Sequence, residues 1–290
     1  MSEVRVNSAQ AWWLAVRPKT LSGAAVPVVL GVAAAAAEGF GVLWLPAVLC
    51  LAFALLMQVD ANLVNDYLDW ADGVDTAERL GPERAMARGW VSERAMRWAI
   101  GGVTAAACAV GLPLTVWGGW WMVAVGAACV LFCFLYTTVC SRRALGDVLV
   151  LVFFGLVPVG AVFYIQTGGL TREVVALAAA CGLATDAMLV VNNYRDMETD
   201  RRVGKRTLAT LLGARATRVF LLLTGLAAVA LTVPMLGGRW WWMAPYAAFH
   251  LWNVRRVYRI GSGRALNGVL ATVALSIVVF GLNVTLAILI

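Results

Sequence analysis

Two short segments of the sequence carry carboxylates and carboxamides at the spacing of one helix face. Asn62, Asn65, Asp66 and Asp69 occupy positions i, i+3, i+4 and i+7, and intervals of four separate Asn192, Asp196 and Asp200. Such side chains share a helix face, so each segment presents at least two carboxylates together. Carboxylates this close repel, and Mg²⁺, which prefers oxygen ligands and substrate phosphates, relieves the repulsion. The spacing therefore predicts two Mg²⁺ sites, one at Asn62, Asp66 and Asp69 and the other at Asn192, Asp196 and Asp200.

The two segments also resemble each other. Asn62 and Asp66 match Asn192 and Asp196 at a constant offset of 130 residues. This match favours a duplicated four-helix unit, about 21–140 and 146–254, inside a single domain of residues 1–290. A duplication would bring the two sites together across one cavity.

Further charged residues surround the two segments. Asp75 extends the first segment, while Asp60 and Asp186 lie in apolar stretches, where an ionisable residue is a functional candidate by default. The basic residues that suit a diphosphate are Arg17, Lys19, Arg79, Arg84, Arg142, Arg143 and Lys205. The alternative for each is that it only sets membrane topology, an alternative that is stronger for Arg142 and Arg143 than for Lys205.

The elements that must position these residues are membrane helices. The chain of 290 residues is 62% hydrophobic and 13% charged, with a mean hydropathy of +0.82, whereas soluble domains are about a quarter charged. Repeated apolar stretches near the ~20 residues that span a bilayer predict an all-α polytopic fold. We expect about nine spans: 21–37, 42–64, 94–117, 119–140, 146–166, 173–193, 217–236, 240–254 and 265–289. The eighth span, 240–254, is short and is the least certain of the nine. Residues 65–93 and 194–216 are predicted to form polar loops.

The basic residues indicate orientation rather than nucleic-acid binding, despite the net charge of +7. With nine spans, all but Arg172 and Arg239 of the 23 lysines and arginines fall on one side. The positive-inside rule then places the N-terminus and both acidic segments in the cytoplasm and the C-terminus outside. His250 is the only histidine, which leaves little for a histidine metal site or a Ser-His-Asp triad.

Taken together, these motifs resemble those of the UbiA superfamily of intramembrane prenyltransferases. The resemblance rests on Asn65-Asp66-Tyr67-Leu68-Asp69 and on residues 192–200, with support from 17–21, 72–76, 79–82, 145–147, 152–155 and 204–208. Gly73 stands where many members have their third Asp, so Asp75 would serve instead. Ser141 and the three residues after it replace a Pro-Tyr-Gly-Tyr-like stretch. The chain is most similar to members that prenylate 1,4-dihydroxy-2-naphthoate in menaquinone synthesis.

The resemblance implies an enzyme in the bacterial plasma membrane whose helices surround a central cavity. Asp66, Asp69, Asp196 and Asp200 would act through Mg²⁺ on a polyprenyl diphosphate, with Lys205, Arg17, Lys19 and Arg79 on its oxygens. The substrates would be that diphosphate and an aromatic acceptor, which loses its carboxylate. Tyr67, Tyr136 or Tyr194 could stabilise the allylic cation. The alternatives are another acceptor, such as 4-hydroxybenzoate, homogentisate or a haem, and an ion-coupled transporter. Transporters place charges near the bilayer midplane, whereas these lie at span ends.

Overall fold

Helices make up the fold, as the composition predicts. The computed structural model describes residues 4–73, 79–139 and 143–290, and every regular element longer than one bridge in these ranges is helical. The α-helices are α1 (Ala9–Val16), α2 (Leu21–Ala37), α3 (Trp44–Ala71), α4 (Glu93–Gly111), α5 (Thr115–Gly118), α6 (Trp121–Thr138), α7 (Gly146–Leu151), α8 (Val157–Thr167), α9 (Arg172–Arg202), α10 (Leu208–Leu236), α11 (Ala244–Ile260) and α12 (Asn267–Leu289). A π-helical turn, Val152–Leu156, joins α7 to α8.

The predicted polytopic fold is confirmed, and nine is close to the observed number of spans. Eight stretches of the described chain are long and apolar enough to cross a membrane, and one of them, Leu208–Ile260, has 53 residues. This stretch covers the seventh and eighth predicted spans, which are two helices packed side by side. The Arg218 guanidinium lies 4.7 Å from the Tyr258 ring centre, and His250 Nε2 lies 3.0 Å from the Leu221 carbonyl oxygen. The weak eighth span is therefore a helix.

Both polar loops begin later than the sequence predicts. Helix α3 continues from the predicted end at residue 64 to Ala71, and α9 continues from residue 193 to Arg202. Asp66, Asp69, Asp196 and Asp200 consequently lie on helices rather than in loops. Loss of hydropathy marks where the chain leaves the apolar layer, and helical hydrogen bonding does not have to stop there.

The central element is α9. In its most apolar stretch 67% of the residues are buried, against 17% for the Glu93–Gly118 and Trp121–Thr138 stretches. Small residues let its neighbours approach closely, as is usual where membrane helices pack. Leu177 and Phe163 lie in a core shared by α2, α8, α9, α10 and α12. A second core joins α1, α3 and α4. The acidic segments therefore extend from two different packed groups of helices.

Candidate active site

A cavity of about 1900 Å³ lies between the helices that carry the two acidic segments. Five of the predicted metal and catalytic residues line it: Asn62, Asp69, Asn192, Asp196 and Asp200. The four predicted diphosphate-binding residues, Arg17, Lys19, Arg79 and Lys205, line it as well. These nine residues, with Arg84, Arg195 and Asn267, define what we call the polar end. Most of the residues that spacing selected as candidates therefore line one cavity in the structure.

At the polar end, Asn62 fastens α3 to the turn that carries Arg17 and Lys19. Its Nδ2 donates to the Val16 carbonyl oxygen at 2.8 Å and to Thr20 Oγ1 at 2.9 Å. Arg17 has a φ of 53°, a left-handed conformation that costs energy for a residue with a side chain. The Asn62 bonds hold the residues on either side of Arg17, so this conformation is fixed with the guanidinium at the cavity.

Asp66 is placed differently from the other predicted ligands. It is fully buried, and its carboxylate accepts the backbone N–H groups of Ala85 at 3.0 Å and Met86 at 3.4 Å. It is not among the side chains that line the cavity. In this conformation Asp66 holds the segment that begins with Arg84 against α3, because α3 packs on that segment at this face.

Arg84 is the direct partner of the first acidic segment. Its Nη2 donates to Asp69 Oδ2 at 2.7 Å, and its side chain is 5% exposed. Arg17 interacts electrostatically with Arg84 and Arg79 as well as with Asp66 and Asp69. Arg17, Arg79 and Arg84 all line the cavity near the first acidic segment, so positive charge is in excess there.

Arg195 organises the second acidic segment, and the sequence analysis did not identify it as a site residue. Its Nε donates to Asp196 Oδ1 at 2.8 Å, and its Nη2 donates to Asp196 Oδ2 at 2.5 Å and to Asn192 Oδ1 at 2.9 Å. Its Nη1 donates to Asn267 Oδ1 at 2.7 Å, and Asn267 Nδ2 donates to the Leu80 carbonyl oxygen at 2.8 Å. Its position three residues after Asn192, on the same helix face, is the sequence feature that could have identified Arg195 as a site residue. Nothing in the sequence indicated Asn267.

Lys205 lies at the end of this segment, as predicted. Its Nζ is 3.5 Å from Asp200 Oδ1, and its backbone N–H donates to the Asp200 carbonyl oxygen at 2.9 Å. Thr207 then starts α10 with a side-chain oxygen that accepts from the N–H of Thr210. Helix α9, the turn and α10 together hold the Lys205 ammonium beside the cavity.

The oxygen groups at the polar end suit Mg²⁺. Asp200 is 8% exposed, and its Oδ2 is buried without a hydrogen-bond partner, which costs energy unless a ligand compensates. Asp69 and Asp196 supply further carboxylate oxygens at the same end. In the described ranges no three acidic, histidine or cysteine side chains form a ready metal cluster. The carboxylates are paired with Arg84, Arg195 and Lys205 instead.

Two predicted candidates lie outside the described residues, Asp75 and Arg142. Arg143 is exposed, and its backbone pairs with that of Arg206. Away from the polar end the cavity wall is apolar and includes Phe53, Met57, Val130, Phe153, Val162 and Ile165. The cavity therefore offers charged groups at one end and room for a long hydrocarbon at the other.

Comparison with known proteins identifies the family and the fold of the chain. The model of the UbiA prenyltransferase family matches residues 24–267. A Mycobacterium tuberculosis protein named 1,4-dihydroxy-2-naphthoate octaprenyltransferase is 36% identical, over 94% of both chains. The Escherichia coli protein of that name is 35% identical, over 86% of this chain and 84% of its own length. Among solved structures, the apo form of a UbiA homolog from Aeropyrum pernix K1 has a TM-score of 0.71, with 17% identity over 93% of this chain and 98% of that one. A UbiA homolog from Archaeoglobus fulgidus bound to GPP and Mg²⁺ has a TM-score of 0.67, with 13% identity over 97% of this chain and 100% of that one.

Proposed function

The chain belongs to the UbiA prenyltransferase family, and we propose that it transfers a polyprenyl group from polyprenyl diphosphate to 1,4-dihydroxy-2-naphthoate. The reaction releases CO2 and diphosphate and gives demethylmenaquinol, the reduced form of demethylmenaquinone. The observation that carries this proposal is one cavity with a charged end and an apolar wall. The acceptor is taken from the names of relatives that match most of the chain.

The polar end is suited to bind the diphosphate. Arg17, Arg79 and Lys205 face the cavity with positive charge. Arginine presents a planar set of donors that matches phosphate oxygens, and lysine adds a compact charge. We assign these residues, together with Lys19, to the diphosphate oxygens.

The carboxylates at the same end would hold Mg²⁺. We propose Asn62, Asp66 and Asp69 for one ion and Asn192, Asp196 and Asp200 for the other, with Asp75 as a further ligand of the first. Bound Mg²⁺ would supply Lewis-acid stabilisation of the charge that develops on the leaving diphosphate. For Asp66 to take part, its carboxylate would have to exchange its backbone partners at Ala85 and Met86.

The apolar wall would hold the polyprenyl chain and protect the reacting carbon. Phe53, Phe153 and Ile165 line the part of the cavity away from the charges. Hydrocarbon packed against such side chains excludes water, which would otherwise capture an allylic cation. The aromatic acceptor then meets that cation between the charged end and the apolar wall.

The protein is an integral membrane protein. Its proposed location is the bacterial plasma membrane, with the N-terminus and the polar end in the cytoplasm and the C-terminus outside. The distribution of lysine and arginine supports this orientation. A cytoplasmic polar end would let a water-soluble naphthoate and Mg²⁺ enter while the prenyl chain enters from the bilayer.

Purified protein incubated with Mg²⁺ and octaprenyl diphosphate tests the proposal. Parallel reactions contain 1,4-dihydroxy-2-naphthoate, 4-hydroxybenzoate or homogentisate, and mass spectrometry identifies the products. We expect the decarboxylated prenyl naphthalene product with the first acceptor and at most traces with the others. Efficient prenylation of 4-hydroxybenzoate or homogentisate alone would replace the acceptor but keep the chemistry. Absence of any prenylated product, in protein that binds the diphosphate, would reject prenyl transfer.

A further inference from the structure

Helices α7 and α9 approach each other unusually closely beside the cavity. A Cβ atom added to Gly182 on α9 would lie 2.8 Å from the carbonyl oxygen of Leu151 on α7. A Cβ added to Gly146, at the start of α7, would lie 3.2 Å from Leu189 on α9. Residue numbers fall along one helix as they rise along the other, so the two helices run antiparallel in contact.

This register brings two aspartates together. Asp147 is one helical turn before Leu151 on α7, and Asp186 is one turn after Gly182 on α9. Because the helices are antiparallel, one turn back from Leu151 and one turn forward from Gly182 lead to the same height along the helix pair. The two carboxylates also interact electrostatically. Neither residue has a part in the diphosphate site described above.

The pair lies at the cavity wall and includes buried oxygens that have no hydrogen-bond partner. Asp147 lines the cavity, as do Thr185 and Leu189, which flank Asp186 on α9. Asp186 is 2% exposed, and one carboxylate oxygen of each aspartate is buried without a hydrogen-bond partner. Tyr136 lines the cavity here as well, and its hydroxyl lies 3.8 Å from the position of the added Cβ of Gly146.

Asp60 is a buried carboxylate with a side-chain donor in the same protein, although its Oδ1, like one oxygen of each aspartate of the pair, has no hydrogen-bond partner. It is also fully buried in a membrane helix, but Thr104 Oγ1 donates to its Oδ2 at 2.7 Å. It is not among the cavity-lining residues. Asp60 therefore has an internal donor away from the cavity, whereas Asp147 lines the cavity and Asp186 lies between Thr185 and Leu189 of its wall.

Keeping two neighbouring carboxylates charged below the membrane surface costs free energy, because they repel each other and are desolvated. A ligand that donates an O–H group satisfies the unpaired oxygens without adding charge. On α9, Asp186 lies six residues from Asn192, about 9 Å at the ~1.5 Å rise per residue. That distance leaves space for an aromatic ring system between the pair and the diphosphate.

We propose that Asp147 and Asp186 bind a ring hydroxyl of the aromatic acceptor. The proposal rests on the prenyl-transfer function and deepens it on the acceptor side. By accepting the hydroxyl hydrogen bond, the pair orients the ring toward the allylic carbon and makes it richer in electrons. A phenolic acceptor is thereby distinguished from a ring without the hydroxyl.

The test compares Asp147→Asn and Asp186→Asn with Asp60→Asn, a matched buried carboxylate away from the cavity. For the first two variants we expect the KM for 1,4-dihydroxy-2-naphthoate to rise about 10- to 100-fold, the effect of losing a hydrogen bond to a charged group. The Kd for polyprenyl diphosphate with Mg²⁺ should stay within about twofold of wild type. Asp60→Asn should leave the acceptor KM unchanged.

Two further measurements separate acceptor binding from diphosphate chemistry. Without acceptor, scrambling of a bridging ¹⁸O in prenyl diphosphate reports C–O cleavage, and we expect the Asp147→Asn protein to retain it. Wild-type protein should discriminate 1,4-dihydroxy-2-naphthoate from its monohydroxy analogues, 1-hydroxy- and 4-hydroxy-2-naphthoate. Asp147→Asn should lose discrimination against at least one of them.

Loss of ¹⁸O scrambling in folded Asp147→Asn protein would place Asp147 in the diphosphate site and overturn the inference. An unchanged acceptor KM with unchanged discrimination would overturn it too. If Asp186→Asn does not fold, Asp147→Asn carries the test alone, because Asp147 is only half-buried at the cavity. Failure of the wild-type protein to prenylate any acceptor would instead reject the proposed function, so the two failures are distinguishable.

Discussion

The pair Arg195–Asp196 should behave as a coupled unit in stability measurements. The Arg195 side chain is 1% exposed and that of Asp196 is 21% exposed, and two hydrogen bonds join them. Replacing Arg195 with Met leaves Asp196 charged, largely buried and without its cation. Replacing Asp196 with Asn removes the carboxylate that forms two hydrogen bonds with Arg195, whose other hydrogen-bond partners, Asn192 and Asn267, are neutral.

The structure sets the size of the effect. Removing one partner of a buried ion pair costs about 3–5 kcal/mol, while removing both charges often costs much less. Because Asp196 keeps some contact with solvent, we take the lower end, about 3 kcal/mol, for Arg195→Met. The double variant Arg195→Met/Asp196→Asn should then be more stable than the sum of the single losses predicts, with a coupling energy of about 2 kcal/mol.

Unfolding by SDS in mixed micelles, followed by circular dichroism with chelator present, measures these free energies. Arg201→Met is the matched control on the same helix, because the Arg201–Glu198 pair is 43% and 68% exposed. An exposed pair is worth at most about 1 kcal/mol, so this control should be nearly neutral. Strictly additive losses for Arg195 and Asp196, or equal losses for Arg195→Met and Arg201→Met, would refute the reasoning.

Three further predictions follow from the proposed site and orientation. Activity should require Mg²⁺ or Mn²⁺ and disappear in excess chelator. In steady-state assays, Asp66→Ala and Asp196→Ala should each lower turnover by orders of magnitude in folded protein. The double variant should lose little more activity than either single variant, since both residues act on one diphosphate. Lys205→Ala should weaken binding of prenyl diphosphate but keep measurable turnover, so wild-type kinetics would remove Lys205 from the site. A C-terminal fusion after Ile290 should give active alkaline phosphatase and dark green fluorescent protein, and the reverse would invert the assigned orientation.

The apolar pattern predicted the membrane helices well but not where they end. Helix α9 has 31 residues and, at about 1.5 Å each, extends roughly 46 Å, whereas a hydrocarbon core is about 30 Å thick. Hydropathy detects only the part inside the core. The charged last turns, which carry Asp196 and Asp200, continue the same helix beyond the core, so hydropathy placed them outside the span although their spacing indicated a helix face.

Spacing predicted which polar residues share a helix face, but it could not predict what that face meets. Asn62, Asp66 and Asp69 lie within two helical turns, yet Asp66 bonds to the backbone of Ala85 and Met86. The partner Asn267 is 72 residues from Arg195, and no periodicity within one helix could indicate it. Contacts of this kind depend on how separate helices pack, which the sequence pattern of either helix leaves open.

The pairing of carboxylates with cations explains how one cavity end can attract an anion despite its aspartates. Unpaired, Asp69, Asp196 and Asp200 would repel a diphosphate at close range. Each has a cation within 3.5 Å, namely Arg84, Arg195 or Lys205. The field of the carboxylates is thereby offset, and Arg17, Lys19 and Arg79 add positive charge at the cavity that would attract the substrate. Mg²⁺ bound with the diphosphate would then compete with arginine and lysine for the same carboxylate oxygens. In the proposed function, substrate binding at this end would therefore exchange partners among fixed charges.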